Sequence, residues 1–591
     1  MPRFHGAAPR AGWGLILAAF STVAASELRV RWVAGDRSMA LGQPIATNAH
    51  SQVLTLTRAD IILSQVALHR PGAGWIIQSN WVGVFQAGTD DPGVPMAGLP
   101  AADYDRLRID VGLAPHLNER DAATWPPEHP LNPARSGLHW GWSGGWVFAA
   151  IEGRWSDATR PDGGFSLHLG TQPLRGTIER PLRFHPSSGA DIEVAFDVAR
   201  LFSRGAPRFD EGTATTHSRA GDTNAAPWMA RLLDSARVDV VKGKGSGNPP
   251  GIESSASSGA LGIAPGARPY RLVVPGTFPR PALPMDNPLT EEGVALGRRL
   301  FHDPLLSRGE RYSCASCHDP GRAFTDAKAV STGVSGRPGT RSAMPLFNLA
   351  WKTSFFWDGR ARTLREQVIQ PITHPDEMGE TMPSVVAKLR RGQGEGSYAE
   401  GFRRAFGTSE VNAGRIALAL EQFLLVQVSG NSRFDRALRG EVELTPMEAR
   451  GFELFRTEND PSRGLRGADC FHCHGGSLFQ SQRFGNNGLS SAFADRGRAG
   501  VTGRPSDEGL FAVPSLRNVA LTAPYMHDGR LETLEEVVAH YSKGVQPSPT
   551  LDPNLAKHPR GGLQLDIEDQ RALVAFLQTL TDAQPRGDGD P

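Results

Sequence analysis

Two copies of one five-residue pattern constrain this chain more than any other feature: Cys314-Ala-Ser-Cys317-His318 and Cys470-Phe-His-Cys473-His474. The 591 residues contain four cysteines, and the two motifs use all of them. A disulfide scaffold is excluded, because such frameworks are short and cysteine-dense. Zinc sites place paired C-x-x-C motifs about 15–20 residues apart, whereas Cys470 lies 153 positions beyond Cys317. A redox dithiol needs no histidine after its second thiol, and both copies carry one. The spacing is that of c-type haem attachment, in which two thiols form thioethers and the adjacent histidine meets the iron. Cys314, Cys317 and His318 therefore define one haem c site, and Cys470, Cys473 and His474 a second.

The duplication extends beyond the motifs. Gly297-Arg-Arg-Leu300-Phe301 precedes the first and Gly451-Phe-Glu-Leu454-Phe455 the second. Downstream, WDGRARTLREQV (357–368) matches HDGRLETLEEVV (527–538) at Asp, Gly, Arg, Thr, Leu, Glu and Val. An internal repeat of this kind predicts two homologous, mainly α-helical haem domains, at 271–440 and 441–591. Thr290 before Glu291 and Glu292 caps one helix, and Thr445-Pro446-Met447-Glu448 is a capping box for another. The last helix, from Ile567 to Leu580, carries Leu573, Phe576, Leu577 and Leu580 on one face. Aligning the repeats sets Pro371 against Tyr541, each thirteen residues after the shared aspartate. Proline cannot ligate iron and tyrosinate can. The first haem is thus expected to be open to a small oxidant, and the second either closed by Tyr541 or merely near a buried tyrosine. Glu377, six residues beyond Pro371, is either the acid/base group that peroxide cleavage needs or a surface charge.

Arg3 and Arg10, the apolar run Ala11–Phe20 and the small residues Val23-Ala24-Ala25 read as a signal peptide over 1–25. Its core is too short to span a bilayer. The expectation is a periplasmic protein without a membrane segment after cleavage, which agrees with haem attachment outside the cytoplasm. Residues 26–241 alternate apolar and polar residues, as in Leu28–Trp32, Leu107–Val111, Phe165–Leu169 and Ile192–Val198. That period predicts an all-β antiparallel sandwich or barrel of half-buried strands. Residues 242–270, rich in Gly, Ser and Pro, read as a flexible linker. Lys plus Arg (63) nearly cancels Asp plus Glu (62), which gives no support for a nucleic-acid partner. Ten of the twelve tryptophans precede residue 240. Beside His139 and His168 they suit either a Cu(I) site or a plain sandwich core with His168 solvated.

Residues 284–585 resemble the bacterial di-haem cytochrome c peroxidase superfamily, through both haem motifs, the WDGR segment and TAPYMHDG (Thr522–Gly529). Ordinary peroxidases carry Met where Tyr541 stands, and the MauG and MbnH branch carries Tyr. The resemblance implies His318 and His474 as proximal ligands and Tyr541 as an axial ligand. It implies Glu377 and Gln367 in the distal pocket of the peroxide-reactive haem, and Trp357 as the electron relay between haems. It also implies calcium held by the carbonyls of Thr522 and Pro524, with Ser342 where that site has asparagine. Residues 27–200 are similar to the MbnP family of periplasmic copper-binding proteins, through LHWGWSGGW (Leu138–Trp146) and FSLHLG (Phe165–Gly170). This second resemblance implies a copper site drawn from His116, His139, His168, Trp140 and Trp142, with one tryptophan oxidised to kynurenine. Glu119 stands where that family has histidine, and His116 is the nearest substitute. Catalyst and substrate thus look fused: a di-haem oxidase using hydrogen peroxide on its own β-domain or on a related copper protein. The alternatives are an ordinary peroxide-scavenging peroxidase fed by a small cytochrome or cupredoxin, and a copper carrier whose haems only pass electrons.

Overall fold

The computed structural model describes residues 26–582 apart from 90–92, 142–144, 171, 204, 211–213, 219–221, 244–262, 393 and 560. The expected signal peptide, 1–25, and most of the expected linker lie outside the described residues.

The N-terminal half is built on two sheets. Its main strands are β1 (Glu27–Ala34), β2 (Val53–Arg70), β3 (Gly74–Gln86), β4 (Tyr104–Val111), β5 (Val147–Ser156), β6 (Gly163–Gly170), β7 (Gly176–Phe184), β8 (Ala190–Asp197), β9 (Thr215–Thr216) and β10 (Ala236–Lys242). The smaller sheet has β8 between β10 and β1. The larger runs β7-β4-β2-β5-β6-β9, with β3 also paired to β2. Most pairings are antiparallel, as the alternation predicts, but β1 pairs with β8 and β9 with β6 in parallel. In the β1–β8 ladder Leu28 faces Ile192 and Trp32 faces Phe196, whose rings stack at 5.1 Å. Alternation favours antiparallel sheets with one solvated face but does not fix the direction of any one pair of strands.

The expectation of half-buried strands fails at β6 of the larger sheet. All eight residues of β6 are buried. One face, with Phe165, Leu167 and Leu169, joins the core between the sheets. The other face is covered by the haem domains rather than by water. Ala150 and Phe148 of β5 and Ile62 of β2 share one apolar cluster with Phe471, Phe479 and Phe576. Polar residues on that covered face find partners across the junction. Ser166 Oγ donates to Asn554 Oδ1 at 2.6 Å, and Arg160 donates to the carbonyls of Ala556 and His558, each at 2.9 Å. Gly164 permits the approach: a Cβ there would stand 2.4 Å from the Pro553 carbonyl oxygen.

The C-terminal half is helical. The repeat is legible in its packing. Helix α1 (Glu291–His302) crosses α2 (Ala413–Leu425), and α3 (Pro446–Phe455) crosses α4 (Ile567–Gln578). A Cβ on Gly297 would lie 1.9 Å from the Ala419 carbonyl, and one on Gly451 would lie 1.9 Å from the Ala572 carbonyl. Each repeat therefore uses its glycine to bring two helix backbones together. The capping expectations match the structure: Thr290 accepts from the Gly293 amide, and Thr445 and Glu448 form a reciprocal capping box. No helix among the described residues is long and apolar enough to cross a membrane.

Candidate active site

Each C-x-x-C-H motif opens with a single 3-10 turn, Cys314–Ser316 and Cys470–His472. All four thiols are free of disulfides. Burial pushes the Cys314 and Cys470 thiols up to about 12, so neither is poised as a thiolate redox centre. The two histidines are held alike. His318 Nδ1 lies 3.0 Å from the Phe324 carbonyl oxygen, and His474 Nδ1 lies 3.1 Å from that of Phe479. An N–H at Nδ1 donating to a carbonyl fixes the tautomer and frees Nε2 to meet a metal. Each motif lines its own apolar cavity. Thiol pairs, oriented imidazoles and apolar space fit two haem c groups.

The two cavities are walled differently. Gln367, Pro371 and Glu377 line the one that holds His318. Gln367 and Pro371 lie on the helix Leu364–Thr373, and Glu377 follows it. The Glu377 side chain is 46% exposed at the cavity mouth, and desolvation still raises its carboxyl above the ordinary value, against the opposing pull of His374 and Arg360. Tyr541 lines the cavity that holds His474. It sits on a single π-helical turn, His540–Gly544, that continues the helix Leu534–Ala539. π-Turns inside helices recur at functional sites because they re-aim one side chain. Burial pushes the Tyr541 phenol above its usual range, while a hydrogen bond with the Asn487 side chain opposes that shift. Trp357 lines both cavities, and its indole N–H donates to the Ser342 carbonyl at 2.9 Å. Ser342, Thr522 and Pro524 all line the second cavity.

The β-domain delivers one tryptophan to the second motif. Trp140 is buried, with its ring centroid 5.3 Å from Phe471 and 5.6 Å from His472, the two residues between Cys470 and Cys473. Gly475, which follows His474, also lies beside the ring: a Cβ there would stand in ordinary contact, 3.8 Å, with Trp140 Cδ1. His168 stands edge-on to Trp140 at 4.7 Å. It is buried rather than solvated, because the haem domain covers its strand face. Its Nε2 lies 2.9 Å from Glu152 Oε1. Burial alone would raise the Glu152 carboxyl, but Arg483 and Arg58 outweigh it and hold Glu152 well below the usual range. Arg483 comes from the haem domain, so this ion pair also crosses the junction.

Two of the other copper candidates, His116 and His139, do not join this group. His116 is exposed on the short helix Pro115–Asn118. His139 packs 4.9 Å from Trp146, and its Nδ1 accepts from the Gly141 amide. Trp142 lies outside the described residues. The histidines that do gather with His168 are His217 and His472, neither of which the sequence singles out. His217 sits in an aperiodic polar stretch. His472 is visible only as the variable residue of its motif.

Residues 291–443 match the family model described as di-haem cytochrome c peroxidase. The methylamine utilization protein MauG of Methylorubrum extorquens is 40% identical over 302 residues, covering 50% of this chain and 80% of that protein. The chain belongs to the di-haem cytochrome c peroxidase family. Cytochrome c551 peroxidase of Nitrosomonas europaea is 34% identical to this di-haem peroxidase over 310 residues, covering 50% of this chain and 82% of the relative. Residues 24–218 match the MbnP family model. A crystal structure of a MauG-like protein associated with microbial copper homeostasis is 35% identical, with coverage of 54% and 97% and a TM-score of 0.47. Family membership makes this enzyme a peroxidase-type oxidoreductase and implies two haem c groups.

Proposed function

We propose that this enzyme is a periplasmic di-haem oxidase that uses hydrogen peroxide to convert Trp140 of its own β-domain to kynurenine, next to a copper site. One observation carries the reading: Trp140 packs on Phe471 and His472 inside the second haem-attachment loop. A tryptophan in van der Waals reach of that loop needs no encounter step, and its oxidation proceeds in cis.

Haem c supplies the peroxide chemistry when bound. The protein's own groups arrange the rest. Glu377, at the wall of the first cavity, takes the proton that peroxide gives up on cleavage and returns it to the leaving oxygen. Trp357 spans the wall between the cavities and carries oxidising equivalents from the first to the second. Pro371 leaves the first cavity open, and Tyr541 closes the second against peroxide. At Trp140 the indole loses four electrons, its Cγ–Cδ1 bond breaks and two oxygen atoms are gained. Two molecules of peroxide are thereby reduced to water. Hydrolysis then releases the Cδ1 carbon as formate and leaves kynurenine. Calcium, if carried, is held by oxygens of Ser342, Thr522 and Pro524.

Peptide mass spectrometry of residues 138–146, before and after peroxide is added to the protein with both haems attached, tests the reading. The expected result is gain of two oxygen atoms at Trp140, followed by loss of the formyl carbon, at a rate independent of protein concentration. An intact Trp140 overturns it. Rapid peroxide consumption with a reduced small cytochrome or cupredoxin, and Trp140 unchanged, would instead mark an ordinary scavenging peroxidase.

A further inference from the structure

The junction between the β-domain and the second haem domain buries an unusual density of ionisable groups. His168 and His217 come from the β-domain, His472 and Glu458 from the haem domain, and each of the four side chains is at most 5% exposed. One ligand atom from each of the three histidines can be chosen so that all lie within 4.8 Å of one another. His217 Nε2 and His472 Nε2 are 2.8 Å apart. Glu458 Oε2 is 3.0 Å from the first and 3.3 Å from the second.

Hydrogen bonding does not satisfy this cluster. Two imidazole nitrogens facing each other share one proton at most. His168 Nδ1 and His472 Nδ1 are buried without a hydrogen-bond partner, and Glu458 Oε2 meets only the two crowded imidazole nitrogens of His217 and His472. Buried polar atoms are nearly always paired, and orphans concentrated in one place call for an ion or water between them. His168 Nε2 is engaged by Glu152, which leaves Nδ1 as its free nitrogen.

We propose that His168, His217 and His472 bind one Cu(I) ion, so that the copper site is completed by a residue of the haem-attachment loop and fastens the two domains together. This deepens the copper reading given above and rests on it. Imidazole suits copper, and the local charge selects a monovalent ion. The connected set, buried except for the partly exposed Arg483, holds four carboxylates, Asp60, Glu152, Glu458 and Asp469, against three permanent cations, Arg58, Arg483 and Lys557, with the His558 imidazole also on Asp469. One positive charge balances that set, whereas a divalent ion overshoots it. Because His472 lies between Cys470 and Cys473, occupancy is felt at the second haem.

The test uses the full chain with both haems attached and never exposed to peroxide, so that the result does not depend on Trp140 oxidation. Cu(I) is titrated without oxygen against a chromophoric Cu(I) chelator, with Zn(II) in parallel. We expect one Cu(I) per chain, held more tightly than Zn(II), and a change in the absorbance of the second haem on binding. His168→Gln, His217→Gln and His472→Gln should each weaken binding by more than the roughly 10–100-fold that loss of an outer-shell partner costs. Covalent haem content, measured on each variant, separates ligand loss from failed haem attachment, and His217→Gln changes a β-domain residue outside the attachment motif, although its side chain touches His472. Unchanged affinity in His472→Gln with haem intact overturns the shared site but leaves a copper site within the β-domain. The absence of stoichiometric Cu(I) binding by the unmodified chain, or a preference for Zn(II), overturns the proposal. Oxidation of Trp140 by peroxide is a separate readout and stands or falls independently.

Discussion

Trp140 of the β-domain meets Phe471 of the second haem-attachment loop edge to face, with ring centroids 5.3 Å apart and planes at 79°. The contact joins the two halves of the chain at the point where one carries oxidising chemistry and the other an oxidisable ring. Neither residue belongs to a solvent-exposed patch: Trp140 is 8% and Phe471 1% exposed. On the proposed reading, substrate delivery is a packing event made once, on folding.

Trp357 is the only tryptophan that lines both cavities among the described residues. Trp357→Phe keeps an aromatic ring but removes the indole and its donation to Ser342. Both haems should remain attached, while peroxide-driven oxidation of Trp140 slows more than about tenfold, or at least 1.4 kcal/mol in barrier. Time-resolved peptide mass spectrometry checks this, and an unchanged rate removes Trp357 from the path.

In its proposed role as proton acceptor, Glu377 should give the reaction its pH dependence. Desolvation raises its carboxyl above the ordinary glutamate range, although the side chain is 46% exposed. Only the ionised form accepts the peroxide proton. The rate of peroxide consumption should therefore rise with pH through a midpoint above 4.5, and Glu377→Gln should lower the rate and flatten that limb. Stopped-flow pH profiles of both proteins give the comparison.

Arg483 ties the haem domain to Glu152 of the β-domain at 3.1 Å. Removing one partner of a buried pair typically costs about 3–5 kcal/mol. Arg483 is 30% exposed, and Glu152 keeps Arg58 and His168, so Arg483→Met should cost less, roughly 1–2 kcal/mol. Sign follows from the depressed Glu152 carboxyl. The stabilisation is present above 4.5 and is lost as pH falls through the lower folded value. Denaturation midpoints of the two proteins should converge in strong acid, and parallel curves at every pH would contradict the assignment.

Gly451 and Gly297 should tolerate no side chain. Alanine at either places a Cβ 1.9 Å from a carbonyl oxygen of the crossing helix, and the backbones must part. Overpacking of this kind costs about 1–3 kcal/mol, and the equivalence of the two repeats predicts similar losses. Thermal melts of Gly297→Ala and Gly451→Ala measure both, and wild-type stability in either would refute the close-crossing account.

The sequence by itself determined the haem chemistry and the duplication, because C-x-x-C-H spacing and the repeated glycine, aspartate and capping residues are local. The strand alternation of the N-terminal half is local too, and it marked Leu28, Leu107 and Phe165 as members of β-strands. What spacing could not reach is what covers a face. β6 reads as half-exposed from its alternation, yet His168 is buried because another domain, far away in sequence, lies over it. His217, Glu458 and His472 are separated by roughly 240 and 14 positions and meet only through that packing. The tertiary structure alone decided which tryptophan touches a haem loop and which histidines share a centre, since no periodicity links residues on two independently patterned domains.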